Sequence, residues 1–364
     1  MKIPSFLLFF MLSAAAMAQF SEHSYVAELN AFRGNIMLHS PDMHHLITDH
    51  PTGTIFSILR KTEGSQEWHS VFNYPEYGGY FLHQDFKNEY LGENYAVGLQ
   101  YNFYFLKRNL QLKVSQGLAM TTHKHDNETN YKNGAFGTRF MENTNFAVAY
   151  SKQDIWKGFG LRAGFLFTHF SNGKIKSPNS GINTYNVDVG VTYEFGKTHE
   201  YIPKVDSLKV DFSERVKYNI ILRSGVNESY VINSGQKPFF HIATYADKRL
   251  NRKSALQFGT DIFLTLSQKE IIKYKSVSYP ELEVSPDLDY KRVGVFVGHE
   301  LFINKLSVET QLGYYLYDEL KADGSIYDRV GLKYYFSPKV FAGVGVKTHG
   351  FMAEAMEFSI GVRL

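Results

Sequence analysis

The chain contains no cysteine. That absence excludes a disulfide framework, a thiolate metal centre and a lipid anchor carried on an N-terminal cysteine. Long apolar runs are missing too. Beyond the first dozen residues, no segment approaches the ~18 uninterrupted apolar residues of a membrane-crossing helix. Charge of one sign is also scarce: 39 Lys and Arg against 36 Asp and Glu leave a net charge of +3, too small to argue for nucleic acid as a partner. Tryptophan occurs only twice, yet aromatic residues make up 16% of the chain through 25 Tyr and 30 Phe. Together with 29 Gly and a mean hydropathy of −0.27, this composition suits a β-barrel with one oily and one polar face.

The N-terminus reads Met1-Lys2, an apolar run from Ile3 to Leu12, and small residues ending Ala16-Met17-Ala18. A charged start, a short hydrophobic middle and a small-x-small site form the pattern of a secretory signal, expected over residues 1–18. The apolar middle is too short to span a bilayer as a helix.

Period-two alternation dominates the rest of the chain. Tyr95, Val97, Leu99, Tyr101, Phe103 and Phe105 interleave with Ala96, Gly98, Gln100 and Asn102. Tyr185, Val187, Val189, Val191, Tyr193 and Phe195 interleave with Asn186, Asp188, Gly190 and Glu194, and similar splits run from Leu306 to Leu316 and from Met356 to Leu364. Such alternation marks strands. Eleven residues at ~3.4 Å each, tilted by about 40°, cross roughly 28 Å, near the ~25 Å apolar band of an outer-membrane barrel and well beyond the usual soluble strand. The expectation is an all-β, transmembrane, antiparallel outer-membrane β-barrel of 12–16 strands, with the polar face lining the lumen.

Sixteen candidate strands can be marked, the first over 25–36 and the last over 356–364. Tight links at 106–110, Asn304-Lys305 and Ser337-Pro338-Lys339 are expected on one rim. The longer polar stretches 123–143 and 171–183 are expected on the other, cell-exterior rim. A polar stretch between Phe195 and Val216 reads either as a long loop or as a seam. No Pro/Gly/Ser-rich linker marks it, so a single barrel over 19–364 is preferred, with 216–364 completing it.

One strand carries chemistry. Phe165-Leu-Phe-Thr-His-Phe-Ser-Asn-Gly173 ends a β-like run with His169 and Ser171 two residues apart, hence on one face, in line with Leu161, Ala163, Phe165 and Phe167. A His beside a Ser can take the hydroxyl proton as the serine attacks an ester carbonyl. Taken alone, such a pair at a strand end is usually an interfacial polar rim, and Asn172-Gly173 an ordinary turn.

The wider pattern, His169-Phe-Ser171-Asn172-Gly173 followed by Pro178-Asn179-x-Gly181 and a tyrosine-bearing strand from Tyr185, resembles the outer-membrane lipid A deacylases, in particular their longer acyloxyacyl-hydrolase-like members from Bacteroidetes-type bacteria. The likeness is best over about 34–196. It implies a serine esterase at the outer membrane that removes an ester-linked acyl chain from lipid A of lipopolysaccharide, with no metal or cofactor. Ser171 would match the nucleophile, His169 the general base, and Asn172 and Asn179 the residues near the oxyanion. The family's acidic residue, two positions after the Gly of P-N-x-G, falls on Asn183. In a Ser-His-Asp protease the same Asp-to-Asn change costs about 10⁴ in rate, although an Asn carbonyl can still orient a His. Phe165 and Phe167 would lie against lipid tails, with Lys174 and Lys176 near lipid phosphates. The competing readings are a non-enzymatic or decayed barrel, pore or structural, and a phospholipase on the same scaffold.

Other clusters point less sharply to function. His39, His44, His45 and His50 with Asp42 and Asp49, and His123 and His125 with Asp126, have metal-like composition without a scaffold spacing. Lys347-Thr-His349 with Glu354 and Glu357 is expected to form a structural network.

Overall fold

The structure is a computed structural model describing residues 23–197, 201–202, 212, 214–350 and 352–364. The expected signal segment lies outside the described residues. All sixteen expected strands are present, each antiparallel to its neighbours, and they close as two barrels of eight strands. Barrel 1 comprises β1 (Ser24–Ile36), β2 (Thr52–Lys61), β3 (Glu76–Asp85), β4 (Glu93–Phe105), β5 (Leu110–Thr121), β6 (Phe140–Trp156), β7 (Phe159–Ser171) and β8 (Ile182–Gly196). Barrel 2 comprises β9 (Lys217–Asn227), β10 (Lys237–Arg249), β11 (Ser254–Thr265), β12 (Arg292–Ile303), β13 (Leu306–Tyr317), β14 (Ile326–Tyr335), β15 (Val340–His349) and β16 (Met352–Arg363). Among the described residues no helix is long and apolar enough to cross a membrane.

The expectation of one barrel over 19–364 is therefore corrected. β8 returns to β1 through a continuous ladder from Ser24↔Gly196 to Ile36↔Thr184. β16 closes on β9 from Phe358↔Ser224 to Arg363↔Asn219. Alternation tells inside from outside equally well in eight-stranded and sixteen-stranded barrels. Closure is a matter of which strand pairs with which, and that information is not in the period.

Within each barrel the alternation assigns the faces as expected. On β4, Leu99 is 68% exposed while its neighbour Gln100 is fully buried. An eight-stranded barrel is only wide enough for side chains to fill its interior, so the lumenal polar residues form a packed core. In barrel 1, Glu28 pairs with Lys113 at 2.5 Å and with Arg162 at 3.1 Å, and Arg162 pairs with Asp188 at 2.5 Å. Asn30 and Asn102 also donate to Glu28. In barrel 2, Arg329 pairs with Glu357 at 2.6 Å and Asp261 at 3.3 Å, and Arg223 with Glu309 at 3.1 Å. Filled interiors of this kind leave the pore reading without a structural basis.

Buried charges tolerate loss of a partner poorly, because the charge left behind stays desolvated. Glu28→Gln is expected to destabilise barrel 1 by about 3–5 kcal/mol, read from urea unfolding of the protein in lipid vesicles. A change below about 1 kcal/mol would show that the interior is better hydrated than its packing indicates.

By contacts the chain forms two compact units. One holds barrel 1 within Met1–Ala135, Arg139–Ser171 and Gly181–Ser207; the other holds barrel 2 within Leu208–Leu364 together with Phe136–Thr138 and Asn172–Ser180. The short segment following Ser171 thus belongs to the second unit.

Candidate active site

On β7 the outward set runs through Leu161, Phe165 (74% exposed) and Phe167, while Arg162, Leu166 and Thr168 turn into the barrel. His169 continues the outward set and is half-buried. Ser171, the last residue of the strand, is buried at 6% exposure. The two neighbouring strands bring polar residues to the same place, since Glu142 of β6 stands opposite Ser171, Thr144 opposite His169, and Asn183 of β8 opposite His169 from the other side.

These side chains make a belt across the lipid-facing wall. His169 Nδ1 lies 2.6 Å from Asn183 Oδ1. Its Nε2 lies 3.4 Å from Glu142 Oε1. Glu142 Oε2 accepts from Gln116 Nε2 at 2.5 Å, and Thr144 Oγ1 stands 2.6 Å from Gln116 Oε1. Beyond Asn183, its Nδ2 comes within 3.5 Å of His39 Nδ1. Polar groups facing lipid are costly unless they are satisfied by partners, and in membrane proteins they mark functional positions. With the Asn183 carbonyl as acceptor, Nδ1 carries the imidazole proton and Nε2 is the nitrogen able to receive one.

Gly181 explains part of the motif. Its φ is +67°, and a Cβ placed there would stand 3.1 Å from Ser171 Cβ and 3.5 Å from His169 Cε1. Backbone of this conformation against the Ser-His pair favours glycine. Gly181→Ala is expected to cost about 1 kcal/mol of stability and to lower turnover about tenfold by displacing the pair. Acyl-release kinetics beside heat-modifiable gel mobility read both effects, and unchanged turnover would show that the close approach is incidental.

Below the belt lies a groove of about 510 Å³ lined by Phe146, Val148, Phe165, Phe167, Tyr185 and Val187 of β6, β7 and β8, with Arg33 and Asn35 of β1 along one side. A second groove, of about 700 Å³, is lined on the same four strands by Leu29, Tyr150, Leu161, Ala163, Val189 and Val191. Both are apolar walls suited to alkyl chains. Phe165 and Phe167, expected at lipid tails, are among these lining residues.

Residues 53–192 match the family described as lipid A 3-O-deacylase (PagL), and residues 216–364 match the family described as acyloxyacyl hydrolase, C-terminal domain. The chain belongs to the lipid A deacylase family. Being a β-barrel of that family, it is an outer-membrane protein. The two family matches fall on the two barrels in turn. Among curated proteins nothing matches. Solved structures similar to this chain include Neisserial surface protein A, at 11% identity and a TM-score of 0.29, covering 48% of this chain and all of that one. A mutant porin from Rhodopseudomonas blastica is similar at 10% identity and a TM-score of 0.21, covering 93% of this chain and 99% of the porin.

In this deacylase-family chain the motif loop 172–180 is tied down within the second unit. Asn172 N donates to Asn179 Oδ1 at 2.9 Å, and Asn172 Nδ2 donates to Lys176 O at 2.8 Å. The structure thus brings the two expected oxyanion residues together, although each of these donors already has an internal acceptor. Glu228, 2% exposed, anchors the loop: its Oε2 accepts from Ser177 N at 2.9 Å, its Oε1 accepts from Gly235 N at 2.9 Å, and its own N donates to Lys174 O at 3.0 Å. Ser177 Oγ donates to Ser229 O at 2.6 Å.

Of the lysines expected near lipid phosphates, Lys176 is exposed but Lys174 is half-buried. Burial pushes the Lys174 ammonium below its ordinary range, against the opposing pull of the Asp323 and Glu228 carboxylates.

The remaining clusters have structural partners. His45 bonds Lys132 O, His50 bonds Asn35 and His125 bonds Asn133 O, each holding a loop. Asp323, His349 and Glu354 lie close enough to share an ion, with ligand atoms all within 4.8 Å of one another. Glu354, however, is already paired with Lys347 and Arg292, and those cations would repel a metal ion. Glu357 faces the lumen as expected, bonded to His241 and Arg329.

Glu142 is the site residue that sequence reasoning missed. The stretch 123–143 reads as a polar loop, whereas β6 begins at Phe140. The signal available was parity: Glu142, Thr144, Phe146 and Val148 share one face, and counting back from the apolar members would have extended the strand.

Proposed function

We propose that the protein is an outer-membrane serine esterase that hydrolyses an ester-linked acyl chain of lipid A. The observation that carries this reading is the outward-facing His169–Asn183 pair beside Ser171, at the head of an apolar groove on the lipid-facing wall.

Ser171 Oγ attacks the ester carbonyl carbon while its proton passes to His169 Nε2, and the carbonyl π pair moves onto oxygen. Asn172, next in the chain to the nucleophile, and Asn179 stabilise that oxyanion. The second hydrogen of the Asn172 amide, the one not held by Lys176 O, is the natural donor. Collapse of the intermediate breaks the bond to the sugar oxygen, which leaves with the proton from Nε2. Water then repeats the sequence on the acyl-serine, so that one ester and one water give one fatty acid and one hydroxyl. Asn183 holds the imidazole in the tautomer this requires, and the groove lined by Phe165 and Phe167 holds the acyl tail.

Incubating the purified protein in detergent with lipid A, and separately with phospholipid, tests the reading by mass spectrometry. Loss of one acyl chain from lipid A supports it. Acyl release only from phospholipid would make the protein a phospholipase on the same scaffold, and release from neither would leave a barrel with an inactive site.

A further inference from the structure

We propose that Glu142 is a positioning residue that supplies, from the Nε2 side of His169, the negative charge that Asn183 cannot supply from the Nδ1 side. The inference rests on the esterase reading and deepens it.

A general base that receives a proton becomes an imidazolium, and an amide at Nδ1 orients that ring without offsetting its charge. The belt contains one group that can. Glu142 Oε1 lies 3.4 Å from His169 Nε2. Its other oxygen is held by Gln116 Nε2 at 2.5 Å. Thr144 Oγ1, at 2.6 Å from Gln116 Oε1, fixes which end of the Gln116 amide faces the carboxylate. One carboxylate oxygen is thus anchored and the other directed at the imidazole. The register is equally specific, because Glu142 stands directly opposite Ser171 across the β6–β7 ladder, where the proton is transferred. A carboxylate on a lipid-facing wall is disfavoured unless it is paired, and the ion pair with an imidazolium satisfies it most fully when the proton has arrived. This is stabilisation that grows toward the transition state.

The groups around the imidazole among the described residues are Glu142 and Thr144 on β6, Gln116 on β5, Asn183 on β8 and, across Asn183, His39 of the β1–β2 loop. Of these, Glu142 and His39 are the ionisable side chains, and Glu142 is the one that lies against the ring. A carboxylate beside the ring favours its protonated form, so removing it moves the acid limb of the kcat/KM profile to lower pH.

The experiment compares acyl release by wild type, Glu142→Gln, Asn183→Asp and the double variant across pH, with heat-modifiable mobility as the check on folding. Glu142→Gln is expected to lower kcat by about 10- to 100-fold with KM little changed and the acid limb shifted to lower pH. Asn183→Asp in that background is expected to restore at least tenfold, because it returns a carboxylate to the ring. In the wild-type background the same change is expected to gain less than about fivefold, since the charge is already present. An active wild type with an unchanged Glu142→Gln profile overturns the inference and leaves the esterase reading standing. So does a gain of 100-fold or more from Asn183→Asp alone, a result that does not depend on the Glu142 variant folding. Absence of acyl release by the wild type overturns the esterase reading and the inference with it.

Discussion

Ser171→Ala is expected to abolish acyl release from lipid A, lowering kcat by about 10⁴-fold or more, while barrel 1 assembles as before. Ser171 ends β7, as the last pair of its ladder to β6 and one residue past its ladder to β8, and removing one hydroxyl oxygen there takes away no part of the packed lumen. The loss therefore belongs to chemistry. His169→Ala is expected to cost nearly as much, and the double variant little more than either single one, because a nucleophile and its base act as one unit. Single-turnover kinetics on purified lipid A, beside gel mobility of the folded barrel, measure this. Additive losses would mean that the two residues do not share a step.

Glu228→Ala is expected to lower kcat/KM by about 100-fold although Glu228 stands outside barrel 1. Its carboxylate accepts from Ser177 N and Gly235 N, both at 2.9 Å, at a buried position. Leaving the buried Ser177 amide unsatisfied costs about 1–3 kcal/mol, and the loop that bears this cost is the one holding Asn172 against Asn179. Misplacing donors for an oxyanion by an ångström forfeits on the order of two powers of ten in rate. Glu228→Gln, which keeps one acceptor, is expected to fall between wild type and alanine. Full activity of the alanine variant in a steady-state assay would show that the loop holds its shape without this anchor.

The fold was legible where one physical rule governs. Outward residues meet lipid and inward ones meet a polar core, so Leu99 and Gln100 on β4, or Phe165 and Leu166 on β7, declare their faces in the alternation itself. Barrel number was not legible, because the ladder from Ser24↔Gly196 to Ile36↔Thr184 is a pairing of distant segments and no local pattern encodes it. The site was legible along the chain, with His169 and Ser171 on one strand and Asn183 a short loop away. It was illegible across the sheet. Glu142 lies 27 residues before His169 in a stretch too polar to read as a strand end, yet the β6–β7 register sets it opposite Ser171. The half-burial of Lys174 was not legible for a related reason, since its sequence neighbours give no hint of the Asp323 and Glu228 carboxylates that act on it.

The most direct measurement is covalent labelling of the folded protein in lipid-containing detergent with an alkyl fluorophosphonate, a probe that phosphonylates an activated serine, followed by peptide mapping. A single adduct on Ser171, blocked by added lipid A and lost in His169→Ala, is the expected result. A protein that deacylates lipid A yet carries no adduct on Ser171, or carries it on another residue, would contradict a serine nucleophile on the lipid-facing wall of barrel 1.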